Sequence, residues 1–126
     1  MDRIIVGIKV TEEAETEINF RETVQPGQGT RITRSFHLAG KIKQVMFHFP
    51  PGCVALVEVK LLKDEKPFYP SEGYLALDNA TPVYPTDVAY REKEPLTVEI
   101  LNRDAVNPHT PSVTVVIRYQ KPWYDG

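Results

Sequence analysis

The chain reads as an all-β domain: a two-sheet antiparallel β-sandwich of jelly-roll character with eight or nine strands. Three observations carry that reading. Its apolar runs are only strand-length, and several alternate apolar with polar residues at period two, as a strand with one buried face does. Eleven prolines and seven glycines are spread through the 126 residues, so they punctuate those runs. No stretch makes a convincing helix. Glu12 to Glu22 has helical composition, but the β-branched Thr16, Ile18 and Thr23 weaken it.

The elements follow in order. Ile4, Val6, Ile8 and Val10 alternate with Arg3, Gly7 and Lys9, and Thr11-Glu12-Glu13 breaks this first run. Ile18, Phe20 and Val24 share a parity and mark a second strand. Gln25-Pro26-Gly27-Gln28-Gly29 is a turn, because proline presets φ and glycine supplies positive φ. Ile32, Phe36 and Leu38 carry a third strand up to Gly40. In the fourth, Val45, Phe47 and Phe49 face one way while Gln44, Met46 and His48 face the other. Past a Pro50-Pro51-Gly52 corner, residues 53–62 are nearly continuous in apolar character, as a central strand requires. Residues 63–73, with Asp64, Pro67, Pro70, Ser71 and Gly73, read as a long loop, and Tyr74 to Asp78 as a short strand. Pro82 to Arg91 is a proline-broken edge segment, since proline cannot donate to a central ladder. Leu96, Val98 and Ile100 form a strand, Asn102 to Pro111 a loop, and Val113 to Tyr119 the closing strand. Residues 120–126 are left as a tail carrying Trp123 and Tyr124, and residues 1–40 as either strands or an arm reaching to a neighbour.

Composition narrows the function classes. A hydrophobic share of 41 % with 25 % charged residues is globular, and the length suits one domain with a core of its own. A net charge of −2 lacks the cationic excess of a nucleic-acid binder. The lone Cys53 excludes an internal disulfide and a multi-cysteine zinc site; beside a turn it reads as a small buried hydrophobe. The first residues show no basic segment leading into a long apolar one, and no run nears the roughly 20 residues of a membrane helix, so synthesis and folding in a cytoplasm are expected.

Chemistry-bearing constellations are sparse. His37, His48 and His109 stand apart, with no His-x-His to aim two imidazoles at one metal, and read as surface or interface residues. Asn102-Arg103-Asp104-Ala105-Val106-Asn107 spaces oxygen ligands as calcium loops do, but lacks the downstream glutamate and the turn glycine. Its asparagines and aspartate are better read as turn formers bonding the backbone. No nucleophile elbow, phosphate loop or metalloprotease motif is present, so no catalytic, cofactor-binding or metal residue is assigned and an enzyme is not expected. Aromatic residues gather in the predicted loops and tail: Phe68 and Tyr69, Tyr84, Tyr90, Trp123 and Tyr124. Such rings cap a sandwich, stack on a sugar or anchor a protein contact. Residues 11–22 hold five glutamates and one arginine, whereas residues 23–57 hold no acid but Arg31, Arg34, Lys41 and Lys43. Acidic and basic segments of this kind pair within a fold or match across a symmetric interface.

Four phrases carry a family resemblance: Phe49-Pro50-Pro51-Gly52-Cys53-Val54-Ala55-Leu56-Val57-Glu58-Val59, Tyr69-Pro70, Leu75-Ala76-Leu77-Asp78-Asn79, and Leu96 through Asp104. Across residues 40–119 the chain resembles small jelly-roll proteins of tailed phages and related viruses, which sit on the virion as decoration or spike-base components, often as trimers. The resemblance implies a non-enzymatic virion protein that self-assembles and contacts a capsid protein, and it brings no catalytic residue or cofactor. Expected contact residues are Trp123, Tyr124, Arg31, Arg34, Tyr69 and Tyr84. The alternative is a carbohydrate-binding module in which Tyr69, Tyr84, Tyr90 or Trp123 stacks on a glycan.

Overall fold

The computed structural model describes residues 10–123, and among them there is no helix. Eight strands are present: β1 (Val10–Arg21), β2 (Gly29–Arg34), β3 (Gly40–His48), β4 (Val57–Lys63), β5 (Lys66–Tyr69), β6 (Val83–Tyr90), β7 (Leu96–Asn102) and β8 (Ser112–Trp123). They form two antiparallel four-stranded sheets in the orders β1-β8-β3-β6 and β2-β7-β4-β5. Every connection but β4–β5 crosses from one sheet to the other, which is the jelly-roll order.

Alternation sets the layers. Phe20 lies opposite Val113, which lies opposite Phe47, and Ile18, Val115 and Val45 form the next inward row. From the other sheet Ile32, Val98 and Leu61 face them. Phe47, Leu61, Val98 and Val115 have no solvent exposure. The parity of β3 changes between Ile42 and Gln44, where a bulge at Lys43 lets both Ile42 and Val45 point inward. Gly40 opens β3 between Tyr119 and Tyr90, and a Cβ there would run into the carbonyl oxygen of Arg118. Only glycine permits that approach.

Several sequence expectations need correction. Of the strands-or-arm choice open for residues 1–40, residues 10–21 and 29–34 are sandwich strands. β1 runs unbroken through Thr11-Glu12-Glu13, where the sequence suggests a break, and β8 runs on to Trp123 instead of ending at Tyr119. The expected first strand lies outside the described residues except for Val10. Residues 53–56 are loop, so the apolar run from Cys53 becomes strand only at Val57. The supposed long loop 63–73 contains β5, joined to β4 by the two-residue turn Asp64-Glu65, with φ of 53° and 65°. That turn has the hairpin geometry usually built from asparagine and glycine, so its sequence hides it. Tyr74 to Asp78 is not a strand; only Leu75 forms a bridge, to Val59. The proline-broken segment is β6, an edge strand as expected.

Candidate functional site

The jelly-roll order brings four loops together at one end of the sandwich: residues 22–28, 49–56, 70–82 and 103–111. Backbone hydrogen bonds lock them to one another. Val24 and His109 form a bridge, and the Gly27 amide donates to the Asp104 carbonyl at 3.1 Å. The Arg103 amide donates to Leu56 and the Ala55 amide to Leu77. Phe49 bridges Ala80.

Buried polar side chains reinforce this lattice. Asn102 donates from Nδ2 to the carbonyls of Val24 at 2.9 Å and Asn107 at 3.0 Å, and its Oδ1 accepts from the Asp104 amide. Asp104 Oδ1 accepts from the amides of Val106 and Asn107, while Oδ2 pairs with His109 Nε2 at 2.8 Å. The Asn102–Asn107 segment therefore bonds its own backbone, as its composition suggests, and His109 is a buried loop anchor, not the surface residue expected. His109 and those two amides hold Asp104 at about 2, below its ordinary value of 3.8. A folded-state value below the unfolded one gives stability that is fully present above about pH 4 and lost as pH falls through about 2. Melting measured between these limits should show an acid-induced decline, and Asp104→Asn should flatten it.

On this scaffold apolar groups stand in solvent. Val54 is 62 % exposed, Leu56 39 % and Val106 76 %. Val54 and Ala55 both take left-handed backbone, with φ of 49° and 60°, and the Leu56 amide closes the turn on the Cys53 carbonyl at 2.8 Å. A β-branched residue rarely adopts positive φ, and the surroundings must hold it there. Asp78 does so, its Oδ1 accepting from the amides of Gly52 and Val54. Cys53 beneath is buried, as expected, and burial pushes its thiol up, with Asp78 adding to the effect.

The expected contact residues are dispersed. Tyr69 and Tyr84 stack on each other at 4.5 Å and lie near Phe47, half-buried, where they close the side of the sandwich between edge strands β5 and β6. Tyr90 is a core residue whose hydroxyl donates to the Glu94 carbonyl and accepts from the Phe36 amide. Arg31 finds acidic partners within the chain, Glu65 at 2.8 Å and Glu99 at 3.4 Å. Arg34 donates from Nε to the Asn19 carbonyl. The backbone of Trp123 pairs with Val10 in the sheet, and Tyr124 lies outside the described residues. His37 rests edge-on against Phe36, and His48 bonds Thr81. Among the described residues no three His, Cys, Asp or Glu side chains are grouped to hold a metal ion.

No protein-family model matches the sequence, and no curated protein matches it. Two of the solved structures that match this chain are only distantly similar to it. The Yersinia pseudotuberculosis-derived mitogen is 11 % identical with a TM-score of 0.49, over 82 % of this chain and 87 % of that one. FlhE is 14 % identical with a TM-score of 0.46, over 85 % and 96 %. Neither likeness bears on function. No helix among the described residues is long and apolar enough to cross a membrane.

Proposed function

We propose that this domain is a non-enzymatic structural component of a virion, an accessory jelly roll that attaches to a shell through its loop end and associates with copies of itself, as a trimer by the resemblance. The observation behind this is the exposure of Val54, Leu56 and Val106 on loops already fixed by mutual hydrogen bonds. Burying apolar surface yields about 25 cal/mol per Å². Loops ordered in advance lose little conformational freedom on docking, so more of that energy appears as affinity. All four phrases carrying the viral resemblance end in or supply these loops: Phe49 to Leu56, Pro70, Leu75 to Asn79, and Arg103-Asp104. The outer sheet faces, by contrast, are laced with ion pairs such as Arg118–Glu15 and Lys43–Asp87, which suits contact with water.

The test is sedimentation of the purified chain at micromolar concentration, alone and with shells of the virus that encodes it. Self-association and co-pelleting are expected, and the double variant Val54→Asp/Val106→Asp should stay in the supernatant with an unchanged melting point. Aspartate tolerates positive φ better than valine, so position 54 should not suffer. A strict monomer that ignores shells would contradict the proposal.

A further inference from the structure

We infer that the outer face of the β2-β7-β4-β5 sheet carries a binding site for a neutral saccharide, built on Tyr74, Glu99 and Arg31. The register places Arg31, Glu99 and Lys60 in one row across β2, β7 and β4, and Gly29, Leu101 and Glu58 in the row beside it. Tyr74, from the β5–β6 loop, lies over this surface. The residue is 38 % exposed, its hydroxyl donates to Glu99 Oε1 at 3.2 Å, and Lys60 Nζ stands 4.6 Å from the ring centroid. Together with Gly29, Thr30, Arg31, Glu99 and Leu101 it lines a shallow, open depression of about 360 Å³ on the sheet face.

The polar groups here are positioned but not saturated. An ionised carboxylate offers about four acceptor sites. Glu99 uses two of them on long contacts, Tyr74 at 3.2 Å and Arg31 Nη1 at 3.4 Å. A guanidinium carries five N–H donors, and the short bond of Arg31 is the single one to Glu65 at 2.8 Å. Gly29 leaves bare backbone in the floor, since a Cβ there would press to 2.7 Å from Leu101 Cδ2. An aromatic face beside an oriented carboxylate and guanidinium matches a pyranose ring: its C–H face stacks, and its vicinal hydroxyls donate to Glu99 and accept from Arg31.

Charge selects the class of sugar. Arg31 pairs with both Glu65 and Glu99, Arg103 pairs with neighbouring Glu58 at 3.0 Å, and Lys60 lies over the Tyr74 ring. The three cations Arg31, Lys60 and Arg103 thus stand beside the three acids Glu65, Glu99 and Glu58. No cationic surplus favours sialylated, sulfated or phosphorylated glycans. The site shares no residue with Val54, Leu56 and Val106, so it stands whether or not the chain binds shells.

The experiment is a glycan array of neutral hexose oligosaccharides and acidic glycans probed with the full chain. Calorimetric titration of the bound neutral glycan then compares Tyr74→Ala, Tyr74→Phe, Glu99→Gln and, on the opposite sheet, Arg118→Gln. Neutral glycans are expected to bind. Tyr74→Ala and Glu99→Gln should each weaken binding at least about tenfold, Tyr74→Phe less, and Arg118→Gln not at all, with melting points kept. Binding of acidic glycans only, no binding, or affinity indifferent to Tyr74→Ala and Glu99→Gln would overturn the inference. Should Tyr74→Ala fail to fold, Glu99→Gln decides alone.

Discussion

Phe47→Ala is expected to cost about 4 kcal/mol of folding stability, the largest effect of any single substitution considered. Phe47 has no solvent exposure and sits on the inner face of β3 opposite Val113. Its ring centroid is 6.0 Å from that of Tyr84 and 6.5 Å from that of Tyr69, the pair whose stack closes the sandwich between β6 and β5. Removing the ring loses its transfer energy and leaves a cavity. It also leaves the two tyrosines, which belong to short or proline-interrupted edge strands, without support. In urea unfolding, where slopes run about 1–3 kcal/mol per M, the midpoint should fall by roughly 2 M with little change in slope. Phe47→Leu, which keeps most of the volume, should cost about 1.5 kcal/mol or less. A loss below about 1 kcal/mol for alanine would show that the aromatic cluster does not close the core.

Asn102→Ala should cost about 3 kcal/mol by a different mechanism. The side chain is 2 % exposed and makes three hydrogen bonds across two loops. Alanine leaves the carbonyls of Val24 and Asn107 and the amide of Asp104 without that partner, and a buried group so stranded costs about 1–3 kcal/mol. Asn102→Asp is the discriminating control. It keeps the shape and the acceptor facing the Asp104 amide, but the oxygen that replaces Nδ2 faces the carbonyls of Val24 and Asn107, so it should be at least as damaging. Amide exchange should accelerate at Val106 and Asn107 in both variants before the sheets themselves open. An Asn102→Ala protein as stable as the parent would mean that the loop end is not held by this network.

Fold class was readable because burial in a sandwich imposes period two, and Phe20, Val45, Phe47, Val98 and Val115 show it directly. Among the local features that escaped are two left-handed turns. The Asp64-Glu65 turn takes positive φ at both residues without a glycine, so β5 looked like loop. Val54 and Ala55 look like strand residues, yet the Asp78 carboxylate, 24 residues from Val54 along the chain, holds them in a left-handed turn. Long-range partners of this kind leave no periodic trace. The candidate site was less legible for the same reason. The turn-forming role of Asn102 and Asp104 follows from their chemistry, but their meeting with Val24 and His109 is a product of topology. Arg31 stood out as a cation in an acid-free stretch, whereas its pairing with Glu65 and Glu99 required the sheet register.

The claim that matters most is that the loop end is the docking surface, and hydrogen–deuterium exchange of the chain, free and bound to shells, tests it most directly. Protection on binding should concentrate at residues 52–56 and 103–107, with exchange on β1 and the rest of the β1-β8-β3-β6 face left near its free rate. Protection confined to that face, with both loops exchanging as fast as in the free chain, would contradict it.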